Sequence, residues 1–207
     1  MGDRLTDDKT NQDAREKLLA AGTELFAAKG FAGVSIRELA TAAGVNSALI
    51  SYHYGGKEGL YEAVITAQYE RLIGKFEAIA AATVPVQEKI RLYADVIRRN
   101  HTGDQPLMAR LIQGELTSPT ACLENVVRKY TARMAQIVSG VLREGIQTGY
   151  FRQDIDPTFA ALSLAGMLNF YFILREVTKV IVPEFPERDA EFVEAALKIY
   201  LKGMGRD

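Results

Sequence analysis

The stretch SIRELATAAGVNSALISYHYGGKEGL, Ser35–Leu60, contains two short apolar sets separated by a glycine. Ile36, Leu39 and Ala40 recur at helical spacing, so we expect them to share one face of a short helix. Gly44 follows that helix and suits a turn, because glycine adopts a positive φ without a Cβ clash. A second short apolar set begins after the glycine. The stretch therefore reads as two short helices joined by a tight turn.

Both short helices carry start signals, and the second has an unusual outer face. Ser35 stands three residues before Glu38, which is the spacing of a capping box, and Asn46 suits the N-cap of the second helix. The outward positions of the second helix are small or hydrogen-bonding, namely Ser47, Ala48, Ser51, Tyr52 and His53. A helix that faces only water usually carries more charge. The pattern favours a helix-turn-helix whose second helix enters a DNA major groove, with an ordinary helical hairpin as the alternative.

The composition limits the classes of function. The 207 residues are 48% apolar and 25% charged, as in soluble globular proteins, and the net charge of −1 predicts weak non-specific binding to nucleic acid. Cys122 is the only cysteine, and His53 and His101 are the only histidines, so we expect no metal site, no cofactor and no catalytic set. Residues 1–11 are polar and without periodicity, which predicts a disordered arm, no signal peptide and a cytoplasmic location.

A family resemblance lies in Leu18–Val64, LLAAGTELFAAKGFAGVSIRELATAAGVNSALISYHYGGKEGLYEAV. Its recognition helix ends in Tyr52-His53-Tyr54, and the next helix opens with Lys57-Glu58-Gly59-Leu60. The chain resembles the TetR family of transcriptional regulators, and Ile50–Gly55 looks like its CecR-like branch. The resemblance implies an all-α fold, in which an N-terminal three-helix head is joined by a long helix to a C-terminal bundle for ligand binding and dimerisation. We expect the disordered arm at residues 1–11, the DNA-binding domain at 12–58 and the ligand-binding and dimerisation domain at 59–207.

The residues that we expect at the DNA are Ser35, Arg37, Ser47, Ala48, Ser51, Tyr52, His53 and Lys57. The resemblance implies that Ser35 and Lys57 bind phosphates. It also implies that Ser47 and Ala48 approach base edges, and that Tyr52 and His53 contact the backbone or bases. Ser47 and Ser51 are short hydroxyls where the family often has a basic residue and an aromatic. We therefore expect specificity to come largely from shape, water and methyl contacts, with Arg37 reaching the groove edge.

The second half of the chain reads as helix throughout and contains one strongly apolar segment. Within Phe159–Leu174 only Ser163 and Asn169 are plainly polar, yet the segment is shorter than the ~20 residues that span a bilayer. A helix that is apolar all round is buried on both sides. We expect one side to face its own domain and the other a second subunit, with the last helix, Glu187–Met204, beside it. Leu168 is our test residue for that interface; the alternative is an internal helix of a monomer.

A small-molecule pocket in the C-terminal bundle is implied by the resemblance. The candidate lining residues are polar groups on otherwise apolar helices, namely Tyr93, His101, Arg110, Gln113 and Asn169. Arg110 would pair an anionic group of a ligand, and His101 would hydrogen-bond to it. For each residue the alternative is a structural pair or a surface position. Phe170-Tyr171-Phe172 stacks on a ligand in one interpretation and packs in the core or the dimer in the other.

These observations predict a homodimeric repressor that a small-molecule effector releases from a palindromic operator. Two recognition helices related by a two-fold axis reach successive major grooves, ~34–36 Å apart. The partners expected are double-stranded DNA, the effector and a second copy of the chain, without a membrane. The alternatives are a helical adaptor that acts through protein contacts and a helical enzyme with a vestigial DNA-binding head.

Overall fold

A computed structural model describes residues 3–103, 106–174, 177, 180–181 and 188–205, and for residues 3–10 it describes the backbone alone. Helices dominate these residues, which confirms the predicted all-α class. The α-helices are α1 (Asp3–Lys29), α2 (Ile36–Ala43), α3 (Ala48–Tyr54), α4 (Lys57–Ala81), α5 (Val86–Thr102), α6 (Leu107–Thr117), α7 (Arg128–Gln147), α8 (Pro157–Ile173) and α9 (Asp189–Met204). A π-helical turn, Leu123–Val127, leads directly into α7. Among the described residues, β pairing is limited to an isolated bridge between Phe151 and Gly205.

The first helix is longer than the sequence pattern predicted. α1 begins at Asp3, so residues 3–11 are helical where the sequence pattern predicted a disordered arm. The intervening residues contain neither glycine nor proline, so no helix breaker interrupts them. A polar stretch can therefore continue a helix without showing any apolar periodicity.

The described residues fall into two compact units. The first unit comprises Met1–Arg71 and Leu107–Tyr130, and the second comprises Leu72–Pro106 and Thr131–Asp207. α4 runs through both ranges, and α6 belongs to the first unit because it packs against α1. The domain boundary predicted between residues 58 and 59 does not coincide with this division, because α6, which lies later in the chain, packs in the first unit.

The first unit is built on an apolar centre that α1 to α4 supply. Its fully or almost fully buried side chains include Leu18, Phe26, Leu39, Ile50, Leu60 and Val64. Gly22 allows α1 and α4 to approach closely, because a Cβ there would lie 3.2 Å from the Val64 methyl. The Tyr61 ring meets the Phe26 ring edge-on at 4.9 Å between centroids. This core supports α2 and α3 from one side and leaves their other sides to solvent.

The second unit has its own core, to which α5, α7, α8 and α9 contribute. The Tyr200 hydroxyl donates to the Ala160 carbonyl at 2.8 Å, which ties α9 to α8. The ring of Tyr171 stacks on Phe192 of α9, with 3.5 Å between centroids. Lys89 of α5 is buried, and its ammonium donates to the Ala80 carbonyl at 3.0 Å. These bonds fix the helices of the unit to one another.

α8 has a buried face and an exposed face, although it is apolar all round. It starts at Pro157, because the side chain of the preceding Asp156 accepts hydrogen bonds from two backbone N–H groups. Leu168 is fully buried in the core of its own unit, so its predicted place at a subunit interface is wrong. Phe159 and Phe170 are instead 71% and 64% exposed.

Among the described residues, no helix is both long enough and apolar enough to cross a bilayer.

Candidate DNA-binding surface and effector residues

The start of α2 is fixed by the predicted capping box. The Ser35 hydroxyl accepts from the Glu38 N–H at 3.2 Å, and the Ser35 N–H donates to the Glu38 carboxylate at 3.2 Å. Lys29 forms an ion pair with the same carboxylate. The Lys29 ammonium and the Ser35 N–H hold the pKa of the Glu38 carboxyl below its usual value. The acidic residue nearest to the predicted phosphate contact is therefore compensated within the protein.

The turn between α2 and α3 also follows the prediction. Gly44 has a φ of 64° and ends α2, while the Val45 N–H donates back to the Ala40 carbonyl at 3.0 Å. The Asn46 side chain accepts from the Ala48 N–H at 2.9 Å and so caps the start of α3. The angle between the two helices is set by main-chain and cap hydrogen bonds, which confirms the helix-turn-helix.

α3 turns Ile50 into the core and presents the opposite face to solvent. The residues predicted at the DNA that are exposed are Ser35, Arg37, Ser47, Ala48, Ser51 and Tyr52. Tyr52 is the most prominent of them, with 71% of its surface exposed. An aromatic ring that is left out of the core at the end of a capped helix is available to lie along sugar and phosphate. The exposed residues of α2 and α3 together carry hydroxyls and the Arg37 guanidinium, as the sequence indicated.

His53 is only partly exposed, and it differs from its exposed neighbours. Its Nε2 atom is buried and has no hydrogen-bond partner within the described residues. The ring meets Tyr52 edge-on at 5.0 Å between centroids. Because Nε2 is shielded, only the other edge of the imidazole could approach DNA in this arrangement. His53 therefore supports the Tyr52 ring as well as standing near the predicted contact surface.

The end of α3 is tied to the first and fourth helices. The Tyr54 hydroxyl donates to the Arg15 carbonyl at 2.8 Å, and burial raises the pKa of this phenol. Gly55 has a φ of 74° and closes the helix. Gly59 lies against the last turn of α3, since a Cβ there would be 1.8 Å from the Tyr54 carbonyl oxygen. Tyr54 and Gly59 were not predicted as functional residues, yet they fix the orientation of the recognition helix.

Lys57 makes contacts inside the protein that the sequence did not indicate. Its ammonium donates to the Val34 carbonyl at 2.7 Å and lies 4.2 Å from the centre of the Phe31 ring. These contacts join the start of α4 to the segment that precedes α2. An ammonium has three donors, so this hydrogen bond leaves others for a phosphate. The phosphate contact of Lys57 stays a prediction.

Ile36 was expected on the buried face of α2 with Leu39 and Ala40, but it is 41% exposed. The buried side of α2 consists of Leu39, Ala40 and Ala43, so Ile36 lies at the helix end that leaves the core. Helical spacing groups residues by face and does not say how far the core extends along that face. An aliphatic side chain next to Ser35 is therefore an addition to the candidate DNA-binding surface.

The five predicted effector residues do not form one cluster within either unit. Arg110 and Gln113 are exposed residues of α6 in the first unit. Tyr93 is fully buried in the second unit, where its hydroxyl donates to the Phe76 carbonyl at 3.3 Å and burial raises its pKa. His101 and Asn169 are brought together in that same unit. The hydrogen bond of Tyr93 therefore supports a structural role, which was the alternative to lining an effector pocket.

The His101–Asn169 pair has a defined hydrogen-bonding pattern. The Asn169 amide nitrogen donates to the Ala165 carbonyl at 2.8 Å, which leaves its oxygen as the acceptor 2.9 Å from His101 Nε2. The proton of this contact therefore belongs to Nε2. The imidazole also stacks on Phe172, with 4.9 Å between centroids. Among the described residues, His, Cys, Asp and Glu side chains nowhere gather in a group of three that could hold a metal ion.

Two family models match the chain. Residues 18–64 match the model of bacterial regulatory proteins of the tetR family, and residues 83–172 match a tetracyclin repressor-like C-terminal domain. The first match covers the helix-turn-helix and the opening of α4. The second covers most of the helices that follow. The N-terminal match and the C-terminal match therefore point to the same family.

Relatives and solved structures agree with these matches. The chain is 31% identical over 134 residues to the probable HTH-type transcriptional regulator YttP of Bacillus subtilis, with 63% of this chain and 64% of that protein aligned. It superposes with a TM-score of 0.76 and 21% identity on FadR of Bacillus subtilis in complex with stearoyl-CoA, covering 91% of this chain and 98% of that one. The superposition on AibR in complex with isovaleryl coenzyme A and operator DNA gives a TM-score of 0.71 and 17% identity. It covers 90% of this chain and 97% of AibR.

The sequence signature of the head, the helix-turn-helix geometry and the two family models agree with one another. The CecR-like placement within the family stays a prediction. The chain belongs to the TetR family of bacterial transcriptional regulators.

Proposed function

We propose that this protein is a sequence-specific DNA-binding repressor that acts as a homodimer and that a small-molecule effector releases from its operator. The observation that carries the proposal is the outer face of α3, which is exposed and rich in hydrogen-bonding groups. Asn46 caps the start of this helix, and Tyr54 ties its end to α1. A surface helix with little solubilising charge is suited to a groove. The proposal places the protein in the cytoplasm of a bacterium, where the DNA is.

Dimerisation is supported by the exposed apolar face on the last two described helices. The large side chains of that face are Phe159, Leu162, Phe170, Ile173 and Ile199. Contiguous apolar surface of this kind marks an interaction site on a soluble protein. We assign it to a second copy, because α8 and α9 of two chains would form a self-complementary four-helix interface. Two heads then bind two half-sites of one palindrome.

The modest charge of the head defines the kind of DNA binding that we propose. Arg37 is exposed, whereas Lys29 is paired with Glu38 and Lys17 with Asp13. The two paired cations are already neutralised by carboxylates, which lowers the number of counterions that DNA binding can release and makes the dependence of affinity on salt shallower. Useful affinity comes from the joint binding of two heads, and selectivity from shape and methyl contacts at Ala48 and Ile36.

For the effector we propose a coenzyme A thioester as the first class to test. The support is the pair of solved structures that contain stearoyl-CoA and isovaleryl coenzyme A. In this chain the candidate polar contacts are His101 and Asn169 in the second unit. Arg110 and Gln113 stay candidates as exposed donors on α6, and Tyr93 as a buried hydroxyl. Release requires that the effector bind the form with low DNA affinity more tightly.

The test uses the full chain and a labelled duplex taken from upstream of its own gene, at two salt concentrations. The proposal predicts specific binding that a scrambled duplex of equal length does not show, and release by a long-chain acyl-CoA but not by free coenzyme A. Binding that neither this long-chain acyl-CoA nor a short-chain acyl-CoA releases would refute only the effector class. A folded dimer that binds neither duplex at either salt concentration would point to an adaptor instead.

A further inference from the structure

The Glu38 carboxylate lies between the Ser35 cap and a lysine that was not predicted at the DNA. One carboxylate oxygen, Oε2, accepts from the Ser35 N–H at 3.2 Å and lies 3.4 Å from the Ser35 hydroxyl oxygen. The other oxygen, Oε1, accepts from the Lys29 ammonium. The carboxylate therefore contacts the predicted phosphate-binding serine through one oxygen and a cation through the other.

The Ser35 hydroxyl has one proton, and its direction decides whether the cap can also bind DNA. The hydroxyl oxygen accepts from the Glu38 N–H at 3.2 Å, so its own proton is left for another acceptor. Glu38 Oε2 is one such acceptor, but a separation of 3.4 Å is longer than a normal hydrogen bond between two oxygens. A phosphate oxygen that approaches Ser35 therefore competes with only a weak contact for this proton.

The charge of Glu38 is the remaining obstacle to a phosphate at Ser35. A phosphate and a carboxylate at the same hydroxyl would be two anions a few ångströms apart, which repel each other even near the protein surface. The Lys29 ammonium supplies the opposite charge at the far oxygen of the carboxylate. Lys29 is also the last residue of α1, a position where the helix macrodipole favours a cation.

We propose that Lys29 is a positioning residue for operator binding, which neutralises Glu38 and so keeps the Ser35 hydroxyl available to a DNA phosphate. The inference rests on the proposed function, because the phosphate contact of Ser35 belongs to it. Two other roles of Lys29 make different predictions. If Lys29 bound the phosphate itself, its contribution would not depend on Glu38. If it only fastened α1 to α2, removing either partner of the ion pair would cause the same loss.

The test is a double-mutant cycle of Lys29→Met and Glu38→Gln in the full chain. Glutamine at this position keeps the capping box and removes the charge. We expect Lys29→Met to weaken operator binding roughly three- to tenfold at low salt, as for one uncompensated charge near a phosphate, and less as the salt concentration rises. Glu38→Gln alone should bind at least as tightly as the wild type, and Lys29→Met should cause no further loss in its presence.

Lys17→Met is the matched control, because Lys17 forms an exposed ion pair with Asp13 within α1. This change leaves a carboxylate without its partner outside the candidate DNA-binding surface, so operator affinity should not change. A loss in Lys29→Met that persists in the Glu38→Gln background would overturn the inference in favour of direct phosphate contact. An equal loss in Glu38→Gln alone, or in Lys17→Met, would overturn it as well.

A second readout needs no DNA and separates the inference from the proposed function. Because the Lys29 ammonium holds the pKa of the Glu38 carboxyl below its usual value, this pKa, followed by carboxyl-carbon NMR, should rise in Lys29→Met and not in Lys17→Met. An unchanged pKa in Lys29→Met would overturn the inference, since Lys29 would then not neutralise Glu38 in solution. A raised pKa together with a wild type that binds no operator would refute the proposed function, while the neutralising role of Lys29 within the protein would stand.

Discussion

Gly59 and Tyr54 are in direct backbone contact, so that a Cβ on Gly59 would lie 1.8 Å from the Tyr54 carbonyl oxygen. The first turn of α4 thus packs on the last turn of α3 without room for any side chain. The neighbouring Tyr54 hydroxyl is bound to the Arg15 carbonyl at 2.8 Å. Together the two contacts hold the recognition helix at a fixed angle to α1 and α4, which is the geometry that major-groove binding needs.

Gly59→Ala should therefore disturb the head. Because the clash is with main chain, the two helices must separate, and we expect a loss of about 1–3 kcal/mol in the free energy of unfolding together with weakened operator binding. Gly74→Ala in the same helix is the control, since a Cβ there meets nothing within 4 Å. It should leave DNA binding intact and stabilise the protein by up to about 1 kcal/mol. Equal behaviour of the two variants in thermal unfolding would contradict the packing argument.

Tyr52→Ala should weaken operator binding at least about tenfold without changing thermal stability, because Tyr52 is 71% exposed and buries little on folding. Tyr150→Ala, at a position that is 44% exposed in the second unit, is the matched change and should leave affinity as it is. Fluorescence anisotropy with a labelled operator measures both. Retained affinity in Tyr52→Ala would remove this residue from the interface.

Lys57→Met separates the two roles of Lys57, since methionine keeps much of the stem on Phe31 and removes the ammonium. If the ammonium also binds a phosphate, the slope of log affinity against log salt should become shallower by about 0.9 for each phosphate that the variant no longer neutralises. Lys17→Met is the control, because Lys17 is exposed and paired with Asp13 within α1. If the affinity falls but the slope of log affinity against log salt does not change, Lys57 contributes only through its hydrogen bond to the Val34 carbonyl.

Phe170→Glu should yield monomers in light scattering, because a charge at this 64% exposed position would be buried between two subunits. Leu92→Glu, at an exposed position of α5, should leave the dimer intact. Leu168→Glu should unfold the second unit rather than dissociate the dimer, since Leu168 is fully buried in the core. A Phe170→Glu protein that stays dimeric would locate the interface elsewhere.

Local signals made much of the head predictable. The Ser35–Glu38 capping box, the Gly44 turn and the Asn46 cap all depend on residues within a few positions of one another, and each formed as expected. The extended start of α1 was missed because polar residues without periodicity give no sign of helix. The Lys57 bond to the Val34 carbonyl was missed because sequence does not report which main-chain acceptors a fold brings near.

The second half was predictable as helix but not in its contacts. α8 is apolar on every side, so its sequence could not tell the buried Leu168 from the exposed Phe170. Arg110 and Gln113 looked like polar groups inside a bundle, yet α6 packs with the head and leaves both exposed. The His101–Asn169 pair joins α5 to α8 through a contact distant in sequence, which no local pattern encodes.

Selection of binding sites from a pool of random duplexes by the purified chain tests directly whether the protein binds DNA as a dimer. The proposal of a dimeric repressor predicts an enriched approximate palindrome, with half-site centres about 10–10.5 base pairs apart or a multiple of that. The Tyr52→Ala protein, selected in parallel, should enrich the same site much more weakly. If a folded dimeric wild type enriches no sequence, or a single half-site without a symmetric partner, the protein is not a dimeric repressor of the proposed kind.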